Sequence, residues 1–93
     1  MILFLSPSVL LASTLQVYFL DVGQGDSMVI TASSGEVVMI DSGPDEYLIL
    51  QKLRALNISH IDLLIDSHPH NDHITGMDAI IDTYQPRAFV DIG

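Results

Sequence analysis

The chain has 93 residues, with 12 Asp and Glu against 3 Lys and Arg, a formal net charge of −9 at pH 7 and a hydrophobic fraction of 48%. That length allows one small domain, and an apolar fraction this high sets disorder aside despite the charge. Lys52, Arg54 and Arg87 are the only basic side chains, too few to clamp a phosphate backbone, and the absence of cysteine removes disulfides, thiolate zinc sites and cysteine nucleophiles.

Residues 1–14 read as an apolar leader. No charged side chain occurs before Asp21, but Ser6-Pro7 splits the apolar run and Gln16 opens an alternating pattern. A spanning helix needs about 20 continuous apolar residues, so no stable transmembrane segment is expected. Ala12-Ser13-Thr14 offers small residues for cleavage without a basic stretch ahead of them. Two readings stay open, a weak signal peptide or a membrane-segment stub. The chain is accordingly either cytoplasmic or exported and membrane-associated.

The domain is expected over residues 15–93. Residues 15–20 are rich in β-branched and aromatic side chains and predict a strand. Gly23-Gln24-Gly25-Asp26 predicts a turn, residues 27–32 a second strand, Ser33-Ser34-Gly35 a hairpin turn and residues 36–41 a third strand. From Asp45 the period changes. Ile49, Leu50, Leu53 and Leu56 fall on one helical face, with Asp45 as N-cap, Pro44 ahead of it and Asn57 at the C-terminal end. Residues 61–66 are nearly all apolar, as in a strand buried on both faces. A loop over 68–73, a helix over 77–84 and a strand over 86–92 complete the order β-β-β-α-β-α-β, an α/β fold in which a hairpin layer leads into βαβ units.

The chemistry concentrates in the loop. His68, His70 and His73 lie within six residues, together with Asp72. Imidazoles and a carboxylate suit zinc and other divalent metals. The cluster follows a buried strand, at the carboxyl end where open α/β sheets place their sites. His68 and His70 can converge on one ion while Asp72 and His73 face a second. Such a pair of ions polarises a substrate oxygen and lowers the pKa of a water to give a nucleophile near neutral pH.

His68-x-His70-x-Asp72-His73 resembles the HxHxDH signature of the metallo-β-lactamase superfamily. Leu20-Asp21-Val22-Gly23-Gln24-Gly25-Asp26-Ser27 resembles the opening of one branch, which includes the C-terminal hydrolase domain of competence-type DNA-uptake channels. Ile40-Asp41-Ser42-Gly43 is similar to the family's third-strand turn. The resemblance covers about 15–93 and implies the N-terminal half of an αββα sandwich that binds two metals, usually zinc. By that resemblance His68 and His70 hold the first metal and Asp72 and His73 the second, with Asp72 also the candidate catalytic carboxylate. Asp41 and Asp26 support the site without ligating. Ser67 stands where Thr is commoner, and Thr75 where Gly is. The family's later histidine, bridging aspartate and last histidine have no counterpart, since no histidine follows His73 and Asp78, Asp82 and Asp91 match none of those motifs.

Other residues take plainer readings. Gly23 and Gly25 form a turn and not a phosphate loop, because no GxGxxG or Walker pattern is present. Asp26 is expected to reach a backbone amide in that turn, and Asp41 to hydrogen-bond beneath the site. His60 reads as a surface residue, and Asp62, Asp66, Asp78 and Asp82 as solvated charge. Asn57-Ile58-Ser59 fits the glycosylation pattern, which is common by chance. The chain ends within an apolar strand that nothing covers, so it reads as a truncated domain whose remaining half is a needed partner. The expected function is a metal-dependent hydrolase, on phosphodiester or nucleic-acid-type substrates more than on β-lactams. The alternative is a non-catalytic fragment lacking the later ligands.

Overall fold

A computed structural model describes residues 14–23, 26–67 and 74–92. The leader up to residue 13 and the 68–73 loop, with its four candidate metal ligands, lie outside the described residues.

Strand β1 (Leu15–Phe19) pairs antiparallel with β2 (Met28–Ala32), with Val17 opposite Ile30 and Phe19 opposite Met28. Gly35, at φ +108, turns the chain back, and its N–H donates to the Ala32 carbonyl at 2.9 Å. Strand β3 (Val37–Ile40) then lies antiparallel to β2, with Ile30 opposite Val38. Helix α1 (Glu46–Ala55) starts at its predicted cap: Asp45 accepts from the N–H groups of Tyr47 at 2.9 Å and Leu48 at 3.1 Å, satisfying two donors that no helical carbonyl can reach. Lys52 and Arg54 sit in its last turn, where the helix dipole favours positive charge. Asn57 follows at φ +59, a left-handed conformation that Asn tolerates better than most residues.

Strand β4 (Leu63–Asp66) lies parallel to β3, helix α2 (Ile74–Tyr84) follows the loop, and β5 (Ala88–Asp91) lies parallel to β4. The sheet order β1-β2-β3-β4-β5 follows the chain, antiparallel on one side and parallel on the other. The predicted order of elements matches, and the bounds shift by a few residues. Helix α2 begins three residues earlier than its apolar pattern indicated. Strand β4 begins at Leu63, two residues later than predicted, because the Asp62 side chain takes over one hydrogen bond of the ladder: its carboxylate accepts from the Val37 N–H at 2.8 Å.

One face of the sheet carries the core. Val29, Val37, Met39 and Leu64 are buried there with Ile49 and Leu53 of α1 and Met77 and Ile80 of α2, and the two helices pack on each other. The expectation that residues 61–66 are buried on both faces is corrected. Leu64 is fully buried, whereas Leu63 and Ile65 are only partly so, because both helices cover the same side and the strand alternates between sides. Among the described residues, no helix is long and apolar enough to cross a membrane.

Candidate metal-binding site

Because β3, β4 and β5 run parallel, their carboxyl ends share one edge of the sheet, and Ser67, the last described residue before the 68–73 segment, lies at that edge. Asp41 ends β3 there at φ +62, a conformation that Asp adopts more readily than most side chains. Its N–H continues the parallel ladder to the Ile65 carbonyl at 2.9 Å. Its carboxylate accepts from the Ser67 N–H at 2.8 Å and from the Ser67 hydroxyl. Its carbonyl accepts from the hydroxyl of buried Ser27 at 2.8 Å. Asp41 therefore ties the start of β2, the end of β3 and the residue immediately ahead of His68.

The other end of the loop is held by close packing. Ser42 is fully buried and donates to the Gly43 carbonyl at 2.9 Å. Gly43 lies at φ +71, where an added Cβ would stand 2.7 Å from Val22 Cγ2. A Cβ on Gly76, in the first turn of α2, would run into the Gly43 carbonyl oxygen and lie 2.7 Å from Ser42 Oγ. Only a bare backbone fits at either position. The Asp41-Ser42-Gly43 turn thus fixes both flanks of the six-residue loop, Ser67 by hydrogen bonds and Gly76 by contact.

A cleft of about 450 Å³ opens beside this turn, with Phe19, Met28 and Ile40 as its apolar wall and Asp26, Asp41 and Ser67 among its polar lining. Asp26 is exposed there, and in the turn ahead of it the Gly23 N–H donates to Asp21 Oδ1 at 3.1 Å. Asp66, read as solvated charge, is instead 8% exposed and stands next to Asp91 in the β4–β5 register. Its placement on the buried side with Leu64 is the only sequence signal that could have found it. Asp62 is likewise drawn into the fold by the Val37 amide.

His60 is exposed as expected, and it lies at the opposite end of the sheet. Its Nε2 faces two acceptors, the Gly35 carbonyl at 2.9 Å and Asp62 Oδ2 at 3.2 Å, so that nitrogen is the donor. Among the described residues no three His, Cys, Asp or Glu side chains converge as a metal site. The donor set of the 68–73 segment, three imidazoles and a carboxylate in sequence, has the chemistry that zinc-class ions require.

These features describe a five-stranded mixed sheet with two helices on one face and an Asp41-Ser42-Gly43 turn that holds described residues on both sides of the 68–73 segment. The sequence model of the metallo-beta-lactamase superfamily matches residues 20–92, and the chain belongs to that superfamily. Its five-stranded sheet and two helices constitute a partial metallo-β-lactamase-like fold. The chain is also similar to the uncharacterized protein YcaI of Escherichia coli (strain K12), 38% identical over 73 aligned positions that take in 71% of this chain and 9% of that protein. It therefore spans under a tenth of that relative's length. The superfamily is generally metal-dependent, often through zinc.

Proposed function

We propose that this chain carries the metal-holding half of a zinc-dependent hydrolase acting on phosphodiester or nucleic-acid-type substrates. In this reading His68 and His70 hold one ion, Asp72 and His73 hold a second, and Asp72 doubles as the catalytic carboxylate. The reading is supported by one observation above the others, the hold that the Asp41-Ser42-Gly43 turn has on described residues on both sides of the 68–73 segment. Asp41 fixes Ser67 ahead of it and the Ser42–Gly43 backbone seats Gly76 behind it. Short, pinned loops hold ligands in one geometry, which metal binding rewards.

When bound, divalent ions there would supply Lewis acidity toward a substrate oxygen and acidify a water. The chain's own groups do the rest. Asp41 orients the strand end from which His68 departs. Phe19, Met28 and Ile40 give the cleft one apolar wall. The net charge of −9 does not oppose an anionic substrate, because two divalent ions bring about four positive charges to the place where it would bind.

The open face of the sheet favours a second reading, in which this chain holds metal without turnover because the remaining ligands come from a covering layer. A zinc site takes about four ligands, and one loop of four donors cannot close two of them. Zinc stoichiometry by equilibrium dialysis, measured beside hydrolysis of bis(p-nitrophenyl) phosphate, separates the two. Turnover that is lost in His70→Ala supports the hydrolase, and zinc binding without turnover supports the second reading. A folded chain that binds no zinc sinks both.

A further inference from the structure

We propose that Ser27 is a positioning residue for the 68–73 segment, because its hydroxyl holds Asp41 in the conformation that seats Ser67 ahead of His68. The proposal rests on the metal-holding reading of that segment. It brings the turn between β1 and β2 into the support of the site.

Ser27 is 4% exposed, and a buried hydroxyl is costly unless it is bonded. Met28 and Ile40 form the last opposed pair of β2 and β3 at this end, so Ser27 stands one position beyond them, opposite Asp41. The link there is made by a side chain: the Ser27 hydroxyl donates to the Asp41 carbonyl at 2.8 Å. At φ +62 Asp41 has left extended geometry, and a rotatable hydroxyl can meet a carbonyl that no longer follows the regular ladder.

The main chain of Ser27 is fixed in its turn. Its carbonyl accepts from the Leu20 N–H at 2.9 Å, which closes the turn of residues 21–26 at its base. That turn meets the Asp41-Ser42-Gly43 turn a second time through Val22, which is 3% exposed and leaves no room for a Cβ on Gly43. Force therefore runs from the β1–β2 turn through Ser27 to the Asp41 carbonyl, and from the Asp41 carboxylate to the Ser67 N–H at 2.8 Å. Without the Ser27 hydroxyl, the Asp41 carbonyl loses this donor and the positive φ has one neighbour fewer to hold it. Relaxation of Asp41 toward negative φ would carry its carboxylate off Ser67.

The test compares Ser27→Ala with Ser27→Thr, which keeps a hydroxyl, and with Val29→Ala, which removes core packing from the same strand outside the clamp. The first readout is amide hydrogen exchange of the metal-free full chain. The Val37 N–H, held by Asp62 at the other end of the sheet, is the internal reference. Ser27→Ala should speed exchange at Ser67 at least about fivefold relative to Val37, whereas Val29→Ala should speed both together. The second readout is cobalt(II), standing in for zinc, whose visible absorption reports ligand geometry. Ser27→Ala should weaken cobalt binding about tenfold and alter the spectrum, Ser27→Thr should restore most of both, and Val29→Ala should leave the spectrum unchanged.

Cobalt binding and spectrum equal to wild type in a folded Ser27→Ala protein overturn the proposal, and so does Ser67 exchange that tracks Val37 in that variant. A wild-type chain that binds no cobalt sinks the metal-holding reading, and the proposal falls with it. Should Ser27→Ala unfold, exchange of the wild-type protein in graded urea reads the same link. The Leu20 and Ser67 amides should then open as one unit, apart from Val37, and separate opening overturns the proposal.

Discussion

At the carboxyl end of the parallel β3–β4 pair, Asp41 reaches from β3 to the Ser67 amide at 2.8 Å; at the amino end, Asp62 reaches back from β4 to the Val37 amide, also at 2.8 Å. The same device is used twice in opposite directions, and the surroundings of the two carboxylates differ. Asp41 sits at positive φ between buried Ser27 and buried Ser42, with the candidate ligand loop immediately beyond. Asp62 lies among solvent-facing partners, with His60 at 3.2 Å and the mostly exposed Arg87 at 3.7 Å. Positive φ occurs at both ends, at Asp41 on one and at Asn57 and Gln85 on the other, but the fully buried Ser42 and the close approach of Gly76 to Gly43 belong to the Asp41 end. A positive φ persists where the neighbours over-determine it, as Ser67, Ser27 and the Ile65 carbonyl do for Asp41.

The comparison breaks most readily at Asp41. Asp41→Ala removes an ionised acceptor from two Ser67 donors and leaves a Cβ-bearing residue at φ +62, for a loss of about 3 kcal/mol. Thermal unfolding should fall by roughly 12–24 °C, given ~4–8 °C per kcal/mol in a domain of this size. Asp41→Asn tolerates the backbone and keeps one acceptor, so it should lose roughly half as much. Both variants should bind zinc more weakly than their stability loss explains, because the residue ahead of His68 is released. Zinc affinity equal to wild type in a folded Asp41→Asn protein would disconnect this clamp from the loop.

Asp62→Ala tests the other end. The Val37 amide loses its acceptor, at a cost of about 1–2 kcal/mol, and Arg87 adds little because it is 84% exposed at 3.7 Å. Its zinc affinity should match wild type. Equal loss of zinc binding in Asp41→Asn and Asp62→Ala would mean that the two ends form one cooperative unit.

Much of this molecule is legible before any coordinates. The helix over Glu46–Ala55 announces itself by the Asp45 cap and the spacing of Ile49 and Leu53, and the strands by their β-branched runs. What the sequence hides are the side-chain bonds that cross long separations. Asp62 and Asp66 look like ordinary solvated carboxylates, and only tertiary packing decides that one caps the Val37 amide and that the other is buried beside Leu64. One-sided burial of β4 is hidden for a different reason. An apolar run reads the same whether its second face is covered within the chain or by something outside it.

The smallest effect is expected at Tyr84, which ties the end of α2 to the segment ahead of β4 by donating its hydroxyl to the Ile58 carbonyl at 3.2 Å. Tyr84→Phe should cost about 1 kcal/mol. Burial raises the Tyr84 pKa above its ordinary value, and Arg54 offsets part of that rise. The folded state therefore favours the protonated phenol. That contribution is fully present below the unfolded value near 10 and is lost as pH rises through the folded value. The difference in unfolding free energy between wild type and Tyr84→Phe should hold steady up to about pH 10 and shrink above it. Zinc affinity should be unaffected, as for Asp62→Ala, because Tyr84 braces the end of the sheet away from the loop. A difference curve flat through the alkaline range would mean that the phenol is solvated, and that α2 is held at this end by Met77 and Ile80 packing alone.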